Sequence, residues 1–255
     1  MRRMATICWL LCLAVALGQE EVERTRKLRI LPVGDAPPFR QEIRDGVRYE
    51  LDAPKGSEPP YLVEASVQSA EEEGEGGGEV ESQELRLRLK SASAPLAVPK
   101  GPALVRLAEE GAPWHQLTLP EGGDVLAVLW RDPQEGDWGK ARSLLLTDGP
   151  GFAAGMVRFV NVCPAEVAVK VAGREIQVKP GESEVLRADE VDGVKMQLAY
   201  KDARRGWRRF YSASLSQGKG QRSTIVAYRA DGEKPRQPVK VVMHRETAPV
   251  ARENP

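Results

Sequence analysis

The sequence is poor in the side chains that most protein chemistry uses. Its 255 residues include two histidines and three cysteines, and aromatic residues make up 5% of the total. A zinc centre needs three or four ligands at usable spacing. His115, His244 and so few thiols would need distant carboxylates to complete one. Net charge is also missing, since 37 basic residues cancel 37 acidic ones, which argues against a dedicated nucleic-acid binder. No GxSxG, HExxH, Walker or GxGxxG motif occurs, and the GGG run at 76–78 lies in an acidic stretch instead of between a strand and a helix. The sequence therefore gives no cofactor to expect and no catalytic residue to name.

What is present begins with a leader. Residues 1–19 read MRRMATICWLLCLAVALGQ. Arg2 and Arg3 precede an uncharged, mostly apolar run from Ile7 to Leu17, and Ala16 and Gly18 put small residues at −3 and −1 of a cleavage point. That run falls short of the roughly 20 residues a spanning helix needs. The pattern predicts a signal peptide over 1–18 and a secreted, periplasmic or extracellular protein with no stable membrane span after cleavage. Cys8 and Cys12 leave with the leader, so Cys163 remains as a free thiol with no partner in the chain. The mature fold must then rest on its core, for which 41% hydrophobic residues suffice.

Beyond the leader, short alternating segments dominate. From 156 to 244 there are eight: VRFVNV, VAVKV, EIQVK, EVLR, VKMQLAY, WRRFYSASL, STIVAYR and VKVVMH. In VAVKV, Val167, Val169 and Val171 share a face, and Pro180-Gly181 supplies a turn. From 27 to 146 the signal is noisier, with LRILPV, VRYEL, YLVEASV, ELRLRLK, ALVRLA, HQLTLP, DVLAVLW and ARSLLLT as candidate strands. Leu85, Leu87 and Leu89 alternate with Arg86 and Arg88. The turn-rich segment 147–155 would join the two parts. The expected fold class is all-β, with two antiparallel β-sandwich (Ig-like) domains in tandem at 27–146 and 156–244. The acidic, glycine-rich stretch 70–82 reads as a mobile loop and 246–255 as a disordered tail. No internal repeat is evident.

Candidate contact residues are few. Arg204, Arg205, Arg208 and Arg209 surround Trp207, Phe210 and Tyr211; a regular strand would put Trp207, Arg209 and Tyr211 on one face. Guanidinium groups beside rings could engage polyanions or stack on sugars, although the arginines could equally pair with local acids over inward-facing rings. Trp114 and Trp138 sit in turn-like contexts and, with Trp207, would form a sugar-binding platform if exposed in a row; Trp130 reads as core. Asp132, Glu135 and Asp137 carry oxygens that calcium accepts, but without EF-hand spacing. Cys163 is either a small buried hydrophobe or an intermolecular cross-link.

Arg158-Phe159-Val160-Asn161, Pro180-Gly181-Glu182-Ser183, the GWRRFY segment around Trp207 to Tyr211, and Val226 to Tyr228 together resemble a pattern of exported bacterial all-β proteins. The resemblance covers the C-terminal 90 or so residues and implies a β-sandwich. It carries over no catalytic or binding residue. A looser similarity is to β-sandwich modules of periplasmic polysaccharide-modification systems. The expected function is a non-catalytic structural or protein-binding role at the bacterial envelope, with an envelope protein as partner. The alternatives are a module binding glycan or another envelope polysaccharide, and a hydrolase with an unrecognised site.

Overall fold

A computed structural model describes residues 25–69, 82–132, 136–187, 193–232 and 234–249. The leader, the acidic stretch up to residue 81 and the tail beyond 249 lie outside the described residues. Within them the protein is all-β, with no helix.

The first half contains ten strands. They are β1 (Thr25–Val33), β2 (Arg40–Arg44), β3 (Val47–Leu51), β4 (Leu62–Ser69), β5 (Ser82–Arg86), β6 (Leu96–Pro99), β7 (Ala103–Glu109), β8 (Ala112–Leu119), β9 (Val125–Arg131) and β10 (Ala141–Thr147). The second half contains eight: β11 (Met156–Asn161), β12 (Val167–Val171), β13 (Arg174–Val178), β14 (Ser183–Arg187), β15 (Val194–Asp202), β16 (Gly206–Leu215), β17 (Gln221–Arg229) and β18 (Val239–Thr247). All eight expected C-terminal segments form strands. β2 and β6 were not anticipated in the first half. The last strand reaches Thr247 and half-buries Glu246, so the expected tail cannot begin there. The glutamate is held in strand register opposite Arg222.

Four four-stranded sheets stack in layers. Outer sheet β5-β4-β7-β8 faces inner sheet β10-β9-β1-β6, and inner sheet β14-β11-β17-β18 faces outer sheet β13-β12-β15-β16. Each sandwich has its own core. Leu28, Ile30, Leu107, Leu117 and Leu129 fill the first, while Val157, Phe159, Val169, Leu198 and Ile225 fill the second. A third apolar layer lies between the inner sheets, where Leu31, Val33, Leu126 and Val128 meet Val160, Val226, Tyr228 and Val242. Inner strands are consequently buried on both faces. That is why β9 reads VLAVL without alternation, as a doubly covered strand should.

The two halves follow one plan. In each, the first strand pairs in parallel with a later one, β1 with β9 and β11 with β17; every other pairing is antiparallel. Setting β1 beside β11 and β4–β10 beside β12–β18 reproduces both sheet orders. The hairpin β2–β3 is the insertion that has no counterpart. LRILPV and VRFVNV then coincide, placing Arg29 with Arg158, and the ladders place Trp130 with Tyr228 and Asp148 with Glu246. Even the irregularities match. The β7–β8 ladder shifts register at Leu107/Ala108 and the β15–β16 ladder at Leu198/Ala199, with Trp114 and Phe210 as the extra residues. Such bulges leave one residue unpaired and twist the strand locally.

Candidate functional site

The insertion is also the most exposed element. β2 and β3 pair from Arg40↔Leu51 to Arg44↔Val47 and join no other sheet. Asp45 and Gly46 form the turn with φ of 51° and 76°. Positive φ at both central residues defines a type I′ turn, whose twist suits a two-residue hairpin and which Asp-Gly favours. Apolar side chains stand in solvent here: Phe39 is 70% exposed, Ile43 62%, Val47 53% and Tyr49 49%. Arg44 lies 5.9 Å from the Tyr49 ring centre and donates to Glu42 at 2.7 Å. Among the described residues no other strand pairs with either long edge.

A groove of about 630 Å³ opens at the hairpin's root, where the halves meet. Asp35, Pro37, Pro38, Phe210, Tyr211 and Lys240 contribute to its walls. Asp35 anchors the seam by accepting from Tyr228 Oη at 2.9 Å, Lys240 Nζ at 2.8 Å and the Asp231 N–H at 3.1 Å. Burial alone would raise its carboxyl pKa. Donation by Lys240, the Asp231 amide and Tyr228 outweighs burial and holds it below the usual range. Burial and the hydrogen bond to Asp35 push the Tyr228 hydroxyl the other way, well above an ordinary phenol. Arg131 pairs with Asp231 across the same seam.

The opposite end of the central layer holds an ion-pair cluster. Arg222 pairs with Asp148 and Glu246, each at 2.9 Å, and Arg29 pairs with Asp148 at 2.5 Å and with Glu246. Arg158 and Arg222 stand 4.0 and 4.9 Å from the Phe152 ring centre. Burial depresses the Arg158 guanidinium to about 10. For Glu246, burial pushes upward, but hydrogen bonds from Arg29 and the charges of Arg29 and Arg222 hold it well below the carboxylate range. Asp148 and Phe152 belong to the 147–155 joint, which is thereby tied into the body. Arg222 and Asp148 are buried in this cluster, while Arg29 and Glu246 keep partial exposure.

The residues singled out from sequence divide sharply. Trp138 is 2% exposed and packs in the first core. Its N–H donates to the Gly56 carbonyl at 2.8 Å, and its own carbonyl accepts from Trp114 Nε1 at 2.6 Å. Both tryptophans therefore serve the core, and the expected exposed row with Trp207 does not form. Trp207, 42% exposed, lines a shallow hollow with Lys170, Glu175, Ala199 and Arg209 on the outer sheet. Arg204 and Arg205 occupy the β15–β16 turn, where their N–H groups donate to Asp202 Oδ1 at 2.9 Å. Arg208 is exposed opposite Tyr200. Tyr211 does not share a face with Trp207 and Arg209. The bulge at Phe210 inverts the alternation, so Tyr211 pairs with inward Leu198 and reaches the groove.

Cys163 is a free, buried thiol. Its Sγ donates toward Asn161 Oδ1 at 2.8 Å, and burial pushes its pKa up to about 11. His115 is half-buried, its pKa lowered by desolvation, and His244 lies 3.6 Å from Glu246. Of the proposed calcium oxygens, Glu135 falls outside the described residues. Asp132 pairs with Arg142, and Asp137 accepts from the Gly139 N–H. The β2–β3 hairpin lies outside the expected strands, although Asp45-Gly46 between Ile43 and Val47 is its sequence signal.

No protein-family model matches the chain, and no curated protein matches it. Among solved structures, a candidate cell adhesion protein from Bacteroides uniformis is similar over 76% of this chain and 93% of its own, at 9% identity and TM-score 0.25. The shaft pilin SpaA from Lactobacillus rhamnosus GG is similar over 83% and 99%, at 8% identity and TM-score 0.21. A second candidate cell adhesion protein, from Parabacteroides distasonis, covers 88% and 98% at 10% identity and TM-score 0.20. Similarity at this level assigns no role to the chain.

Proposed function

We propose that this chain is an exported, non-catalytic β-sandwich protein of the bacterial envelope whose task is protein contact through the β2–β3 hairpin. Export rests on the leader pattern of residues 1–18. The contact role rests on one observation: the single departure from a duplicated, well-packed plan is a two-stranded hairpin with free edges and exposed Phe39, Ile43, Val47 and Tyr49. A lone hairpin is at best marginally stable in water, and apolar side chains gathered on one projecting element mark an interaction site more often than they decorate a surface. Main-chain groups along an open edge also recognise an added strand, with alternate side chains giving specificity.

The test compares the protein with a variant whose residues 40–51 are replaced by a short Gly-Ser turn. Capture from envelope extract followed by mass spectrometry should lose specific partners in the variant, while the unfolding midpoint stays the same. An unchanged set of partners would refute the contact role. Export is checked by the mass of the protein recovered outside the cytoplasm, which should begin at Gln19. Glycan recognition retains only Trp207 and its hollow as support.

A further inference from the structure

The hydrogen-bond parity of the hairpin specifies what its outer edge can pair with. Arg44 and Val47 close the type I′ turn as a hydrogen-bonded pair. Alternation then directs the N–H and C=O groups of Tyr49 and Leu51 inward to β2. Those of Arg48 and Glu50 face the unpaired edge of β3. An added antiparallel strand must therefore bond to Arg48 and Glu50.

Resting on the reading of the hairpin as a contact element, we propose that the added strand is β3 of a second copy of this chain, related by a two-fold axis through Tyr49. The segment VRYEL is self-complementary about that residue. Arg48 meets Glu50 of the second copy, and the symmetry makes this pair twice. Val47 meets Leu51, and Tyr49 meets Tyr49. Opposite charges and aromatic pairs directly across a ladder are both favourable. The outward-facing residues are the hydrogen-bonded ones in this register, so the charge pairing and the backbone parity agree. Among the registers that pair a whole five-residue strand with its copy, only this one avoids like charges, and shifted registers at the β3 edge also fail. Centring on Arg48 or on Glu50 sets like charges opposite each other. At the β2 edge the full-length register, with its axis through Glu42, opposes two glutamates and sets Arg40 against Arg44; axes through Gln41 or Ile43 match Arg40 or Arg44 with Glu42 but engage only three residues of β2. Pairing about Tyr49 produces one four-stranded sheet, β2-β3-β3-β2, with the Val47, Tyr49 and Leu51 side chains continuous across the seam. The contact is isologous and closes as a dimer, not a fibre.

Sedimentation equilibrium of the full mature chain should show a reversible dimer. Arg48→Glu or Glu50→Arg alone should weaken it about tenfold or more, since each turns two attractions into repulsions, and the double reversal should restore it. Tyr49→Cys should cross-link the dimer on mild oxidation, because residues facing each other at a non-hydrogen-bonded site lie within disulfide reach; Gln41→Cys on the opposite edge should not. Cys163 is buried and does not compete. A monomer at every concentration, or a dimer indifferent to the charge reversals, would overturn the pairing. A monomer that still loses a captured partner when the hairpin is replaced would leave the contact role standing with a different partner. If hairpin replacement changes neither assembly nor capture, the contact role itself falls.

Discussion

The two halves of the protein share a strand plan, a parallel pair, a bulge position and an arginine on the first strand, yet they differ in what they leave uncovered. The second half turns its exposed surface into charge, with Arg204, Arg205, Arg208 and Arg209 set around a single exposed ring. The first half inserts β2–β3, which with Phe39 just before it leaves four large apolar side chains in water, beside Tyr61 and Leu62 elsewhere in that half. The halves share a packed plan of four-stranded sheets, and the insertion lies outside it. By composition the four-arginine cluster is the richer site. It is better explained as the solvated rim of a strand whose inward residues, Phe210 and Tyr211, pack against Tyr200 and the groove.

The sharpest way to break the likeness is to remove the charges where the halves meet. Arg222→Ala should cost about 3–5 kcal/mol, because it breaks the buried ion-pair network and leaves Arg29 alone to compensate both Asp148 and Glu246; the urea midpoint measures it. Leu31→Ala, from the apolar part of the same layer, should cost about 2–5 kcal/mol. Intrinsic fluorescence, dominated by the first-half tryptophans Trp114, Trp130 and Trp138, should shift together with circular dichroism. Two separate transitions in the parent protein would show that the layer does not couple the halves.

Acid tests the same layer by a different route. Glu246 and Asp35 have folded-state pKa values below their unfolded ones, so the stability they contribute is present above about pH 4–4.5 and is lost as pH falls through the folded values. Stability should fall on acidification below about pH 4.5, and Glu246→Gln should start lower and fall less steeply. Gly46→Ala should have the smallest effect. It strains the left-handed turn by about 1 kcal/mol, which should speed amide exchange in β2–β3 and leave the global midpoint unchanged.

Much of the body was legible because alternation is a direct readout of one-sided burial. VAVKV and VKMQLAY turn the same residues inward as their spacing implies. Two strands escaped for opposite reasons. Arg40 to Arg44 has one apolar residue in five, and Leu96 to Pro99 is only four residues long. The duplication escaped because matching positions agree in volume and charge instead of identity, as Leu31 with Val160 or Asp148 with Glu246 do, and because the hairpin offsets the spacing. The turn-rich context of Trp138 suggests exposure, but it says nothing of a carbonyl capped by Trp114, and the ring packs in the first core. Regular alternation sets Tyr211 beside Trp207, but a single extra residue at Phe210 reverses every assignment after it.

The ion pair between Arg29 and Glu246 has a further consequence for how the protein presents itself. It brings the beginning of the first strand beside the end of the last, so both ends of the described chain emerge at one pole. β1 then runs away from that pole, and Asp35 lies six residues on, roughly 20 Å along an extended strand. The hairpin and its groove are therefore rooted at the far pole. A tether at either end would hold the body like a post, with its contact surface directed away from whatever it is fixed to.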